Sequence, residues 1–149
     1  MIPPAPSDLI VLVTVAAGSM AAAVVDLRTR RVPNALTLAI ASAGLALAAS
    51  GAGRVGLAAA GGGCLVGLLV MLPGHLLGKT GGGDVKLLGA FGTLLGPAGI
   101  LAAFLFTAIA GGVLALIVVV HRRRIGMTDN RFAYAPAIAV GACVAAMGW

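Results

Sequence analysis

The sequence predicts an all-α, polytopic membrane protein of six transmembrane helices in one domain, and three observations predict it. The 149 residues are 60% hydrophobic, with a mean hydropathy of +1.12. Only 9% are charged, against about a quarter in an ordinary soluble chain. The basic residues fall between the apolar runs or at their ends, as membrane-orienting charge does. No part of the length is free for a separate soluble domain, so residues 1–149 are read as a single membrane unit.

The apolar runs follow one another from Leu9 to Val25, Ala35 to Ala49, Val55 to Leu72, Val85 to Leu95, Ala98 to Val120 and Phe132 to Trp149. The first has small residues after its apolar core, as a signal peptide does, but no positive charge precedes it, and it reads as a retained helix. The second and fourth are short for a hydrocarbon layer of about 30 Å, which takes about 20 helical residues. The fourth can also be joined to the fifth as one helix kinked at Gly96-Pro97. Charge decides for six crossings with the N-terminus outside. Nine of the ten basic residues then lie inside: Arg28, Arg30, Arg31, Lys79, Lys86, Arg122, Arg123, Arg124 and Arg131. Only Arg54 is left outside, whereas five crossings would put the Arg122 to Arg124 cluster on the opposite side from Lys79 and Lys86. Gly61-Gly62-Gly63 and Gly111-Gly112 provide for close helix approach in lipid.

A net charge of +6 can mark a nucleic-acid binder, but no aromatic residues interleave the basic ones for base stacking, so no nucleic-acid partner is expected. Cys64 and Cys143 form no CxxC pair, and His75 and His121 each stand alone, which gives no metal site. Gly78-Lys79-Thr80 has the end of a phosphate-binding loop, but Pro73 occupies the position of its first glycine. No cofactor is implied.

Two of the four acids sit against membrane segments. Asp26 closes the first run and Asp84 opens the fourth, so two crossings return both to the same side of the membrane at similar depth. Burial and like charge would make such carboxylates share a proton. A shared proton suits amide hydrolysis: one Asp takes a proton from the attacking water while the other hydrogen-bonds the peptide carbonyl. The plain structural alternative is that Asp26 pairs with Arg30 and Asp84 caps its helix. Gly81-Gly82-Gly83 in front of Asp84 tilts the reading toward chemistry, because a glycine run lets a substrate backbone lie close. Lys86 is either an orienting charge for the site or a topological anchor.

Asp26 followed by Arg30-Arg31-Val32-Pro33-Asn34, then Gly81-Gly82-Gly83-Asp84-Val85-Lys86-Leu87, resembles the type IV prepilin peptidase family, the GxGD aspartyl proteases of the bacterial inner membrane. The resemblance runs from about Ala16 to Gly141, with Tyr134 to Ala139 matching the family's Pro-containing last helix. It implies a GxGD-protease-like bundle with Asp26 and Asp84 as the catalytic pair. Gly81, Gly82, Gly83, Lys86 and Pro136 are then expected beside the substrate. The N-terminal domain with paired CxxC motifs that methylates the new pilin N-terminus is absent, so the chain is similar to the short, peptidase-only form of Flp-type pili. The implied substrate is a pilin-like precursor cut after a Gly in a short basic leader at the cytoplasmic face. Its transmembrane stem would enter laterally through the lipid, with the Lys79 to Gly83 loop as a gate. The competing class is a small membrane transporter that uses Asp26 and Asp84 as proton or cation sites; a purely structural pilus-assembly subunit is a third.

Overall fold

A computed structural model describes residues 5–29, 31–78, 80–124 and 135–148. It is all-α among these residues, with five helices: α1 (Pro6–Thr29), α2 (Asn34–Ser50), α3 (Leu57–Leu76), α4 (Gly82–Arg124) and α5 (Ala135–Gly148). The helix boundaries follow from local signals. Pro6 pre-sets the first helical turn of α1, where its missing N–H costs nothing. Asp8 reaches back to accept the Ala5 N–H at 3.2 Å, a capping arrangement that favours an acid near the helix start. Pro33 is the N-cap of α2, with φ −65° and ψ 142°, and forces the chain to enter extended. Gly51 ends α2 with φ 71°, a left-handed cap that glycine reaches without strain.

The expected six helices appear as five, because the fourth and fifth apolar runs form one element. Gly96, at φ 71° and ψ −179°, is a non-helical residue inside α4. The chain reverses there. The arm before Gly96 climbs along α3, since Gly67 abuts Leu88 and Gly89, and Gly63 abuts Gly92 and Gly96. The arm after it descends along α5, with Pro97 beside Gly62 at the top and Thr107 and Ala103 against Gly141 lower down. A single residue with positive φ, followed by Pro97, replaces the loop that two separate helices would need.

The contacts also give every helix a direction. At one end Asp26 of α1 meets Ala135, the first residue of α5. At the other, Arg54 between α2 and α3 bonds both Asp8 of α1 and the Ala146 carbonyl of α5. Consecutive helical rods therefore run in opposite directions. The core lies around the first arm of α4, where Leu87, Leu88, Phe91 and Leu94 are fully buried against Val11, Val15, Ile40 and Ile138.

Glycine sets how closely the rods approach. A Cβ on Gly63 would collide with the Gly92 backbone, and one on Gly92 with the Gly63 backbone. Gly44 fits against Thr93, and Gly141 against Thr107, in the same way. Such small-residue contacts are the usual means of association in lipid, which offers no hydrophobic drive between helices. Leu9, Val13, Met20, Leu38, Leu65, Leu69, Leu105, Ile109 and Leu116 point outward. An apolar belt of this size is untenable in water but suits hydrocarbon. Among the described residues, three helical stretches are long and apolar enough to cross a membrane: Pro6–Thr29, Leu57–Leu76 and Gly82–Val118. The last has 37 residues, which would run about 55 Å if straight; the reversal at Gly96 divides it into two lengths nearer to one bilayer each.

Candidate active site

Asp26 lies one turn before the end of α1 and is buried, 5% exposed. The chain then leaves α1 at Thr29, whose hydroxyl bonds the carbonyls of Val25 and Arg31, both at 2.9 Å, and this tight exit brings Val32 back under the helix end. Asp84 sits in the first turn of α4, half-buried, with its N–H donated to the Gly81 carbonyl at 3.1 Å. Gly81 thus stands just before the first residue of α4, with the Asp84 carboxylate turned back toward it, the same capping arrangement that Asp8 makes at the start of α1.

Asp26, Arg31, Val32, Gly81, Gly82, Gly83 and Asp84 line one cavity of about 270 Å³. The two aspartates expected to meet do share a space, with all three glycines in its wall. The glycines are there for room. A Cβ on Gly81 would come to 3.1 Å from Asp84 Oδ2, one on Gly82 to 3.3 Å from the His75 ring, and one on Gly83 to 3.1 Å from the Val32 Cβ. Any side chain in this run would press on the acid, on His75 or on the floor of the cavity.

Asp26 is fixed by a contact that no sequence motif announces. Its Oδ2 accepts the backbone N–H of Ala135 at 3.1 Å, in a buried position. Ala135 opens α5, so the carboxylate lies at a helix N-terminus, where free N–H groups and the helix dipole favour an anion. Pro136 is the next residue of α5 and half-buried; lacking an N–H of its own, it adds no competing donor there. Arg31 is the other addition. The sequence places it among the orienting charges and in the motif that follows Asp26 without giving it a place at the site, and the structure brings it into the cavity wall. Pairing of Asp26 with Arg30 concerns a residue outside those described.

Lys86 does not line this cavity. It donates through Nζ to Asn34 Oδ1 at 2.9 Å and borders a separate groove. Two helical positions from Asp84 amount to about 200° of rotation, which turns Lys86 to the far side of α4. The expected gate also differs: Gly82 and Gly83 are helical, and Lys79 lies outside the described residues. The turn before them is tied by His75 Nδ1 to the Thr80 carbonyl at 3.0 Å and by the Thr80 N–H to the Gly74 carbonyl at 3.2 Å.

Among the described residues, no three His, Cys, Asp or Glu side chains gather where they could hold a metal ion. The chemistry available in the cavity is that of two carboxyl groups, a guanidinium and glycine backbone. Compared with known proteins, residues 13–116 match the model of the type IV leader peptidase family. The match includes both aspartates and the glycine run and stops short of α5. No curated protein and no solved structure matches the chain.

Proposed function

The chain belongs to the type IV leader peptidase family, and on that premise we propose that it is an aspartic endopeptidase that removes the leader of pilin-like precursors, with Asp26 and Asp84 as its acid–base pair. The observation that supports this reading is the single cavity bordered by both acids and by Gly81, Gly82 and Gly83.

The pair works with one proton between its members. The ionised Asp takes a proton from water as the water oxygen attacks the peptide carbonyl, while the protonated Asp hydrogen-bonds the carbonyl oxygen and passes its proton to it. In the tetrahedral intermediate the roles reverse. The carboxyl that received the water proton delivers it to the leaving nitrogen, the other recovers a proton from the diol, and the C–N bond breaks. The pair ends as it began, singly protonated. The Ala135 N–H holds the Asp26 carboxylate in one orientation, and the side-chain-free run before Asp84 leaves room for an extended substrate backbone.

In this reading the bundle crosses the membrane six times: through α1, α2, α3, the two arms of α4, and α5. The N-terminus lies outside. The positive-inside tendency then puts the Asp end, with Arg28, Arg31 and Lys86, on the cytoplasmic face and Arg54 on the other. The enzyme would reside in the bacterial inner membrane and cut after a Gly in a short basic leader. Its substrate would dock by its transmembrane stem, with Pro136 and the glycine run close to the leader.

Coexpression with a candidate pilin precursor tests this. Wild type is expected to shorten the precursor to a mature N-terminus, while Asp26→Asn and Asp84→Asn, at equal membrane levels, leave it full length. Proton or cation flux that needs both acids, with the precursor uncut by wild type, would favour the transporter reading instead.

A further inference from the structure

A second space opens on the side of α4 away from the aspartates. It is a groove of about 300 Å³ lined by Asn34, Thr37, Leu38 and Ala41 of α2, Cys64 and Leu68 of α3, and Lys86 and Ala90 of α4. Its lining is apolar over most of its length and polar only where Asn34 and Lys86 meet. Thr37 does not make it polar, because its hydroxyl is bonded to the Asn34 carbonyl at 3.0 Å. Asn34 is the first residue of α2 and Lys86 lies in the second turn of α4, so the polar end is at the rim of the bundle and the apolar length runs toward its middle.

We propose that this groove binds an anionic phospholipid, with the headgroup phosphate on Lys86 and Asn34 and one acyl chain along Leu38, Ala41, Leu68 and Ala90. Charge and the order of polar and apolar lining both argue for it. The Lys86 ammonium has a neutral partner, Asn34. Of the acids among the described residues, Asp8 is paired with Arg54 and Asp26 and Asp84 border the other cavity. The cation therefore meets the membrane interface without a carboxylate from the described chain, where an anionic lipid gains about fivefold in affinity per lysine. From Asn34 to Ala41 the groove runs about 10 Å along α2, polar at its Lys86 end and apolar beyond it, the order of headgroup and acyl chain in a lipid lying against the bundle.

Cys64 reports on occupancy, since it lines the groove. In full-length Cys143→Ala protein in detergent, the rate of Cys64 alkylation by N-ethylmaleimide is followed as phosphatidylglycerol or phosphatidylcholine is added. Phosphatidylglycerol is expected to slow the reaction at about fivefold lower concentration than phosphatidylcholine. Lys86→Gln should abolish that difference and Lys86→Arg should keep it. High ionic strength should erase it in the Cys143→Ala protein with Lys86 intact, a readout that needs no Lys86 variant to fold. Equal protection by the two lipids, a preference that survives Lys86→Gln or high salt, or protection by a precursor peptide and not by lipid would each overturn the proposal.

Discussion

The Asp26 carboxylate accepts the backbone N–H of Ala135 across 109 positions of sequence, at 3.1 Å and in a buried setting. The last helix is therefore joined directly to one of the two acids, although the family match ends at residue 116. Because the bond is buried, losing it would leave an unpaired group inside the bundle, so this contact ties the placement of Asp26 to the docking of α5.

Ala135→Pro removes that one donor at a helix start where proline is tolerated. A hydrogen bond to a charged acceptor contributes about 1.5–3 kcal/mol. If the bond orients Asp26 for catalysis, kcat is expected to fall by about tenfold or more with KM little changed. Initial cleavage rates at matched protein levels check this; an unchanged kcat would make the contact dispensable.

Close glycine contacts predict a graded stability series. Gly92→Ala drives a methyl into the Gly63 backbone and should cost about 2 kcal/mol or more, because backbone cannot yield as a side-chain tip does. Gly112→Ala meets nothing within 4 Å and should be neutral or stabilising by up to about 1 kcal/mol. Unfolding of the purified protein in mixed micelles separates the two.

At Gly96, φ of 71° is joined to a tight approach, since a Cβ would come to 3.0 Å from Val55 Cγ1. Gly96→Ala should cost about 1–3 kcal/mol from backbone strain alone, because φ 71° with ψ −179° is a region essentially reserved for glycine. The loss should exceed that of Gly61→Ala, which meets no neighbour, in the same unfolding assay.

The clasp at the far end makes a quantitative distinction. Arg54 bonds Asp8 Oδ1 at 2.7 Å and the Ala146 carbonyl at 2.9 Å, and the Asp8 and Arg54 side chains are 34% and 20% exposed. A partly exposed pair contributes at most about 1 kcal/mol. Asp8→Asn should therefore be mild and Arg54→Ala worse, because it also strands the Ala146 carbonyl. A double-mutant cycle in thermal unfolding measures the difference.

The helices were legible in the sequence because apolar runs of bilayer length leave few alternatives, and the shared end of Asp26 and Asp84 followed from the two crossings between them. The union of the fourth and fifth runs was less so. Gly96-Pro97 marks a break, but a Gly-Pro pair does not distinguish a kink from a full reversal; that depends on where Pro97 and Thr107 find partners. The Ala135 donor left no trace at all, since every residue but proline carries the same N–H. Lys86, by contrast, could have been placed from spacing: two positions along a helix lead to the opposite face, away from Asp84.

The account's central claim is that Asp26 and Asp84 act as one unit on a peptide bond. The measurement that tests it most directly is the rate of precursor cleavage by purified Asp26→Asn, Asp84→Asn and the double variant. Groups that share one proton should be lost together: each single change should remove about 10⁴-fold or more, and the double change should remove no more than the worse single one. Substantial cleavage by either single variant, or losses that multiply in the double variant, would contradict the claim.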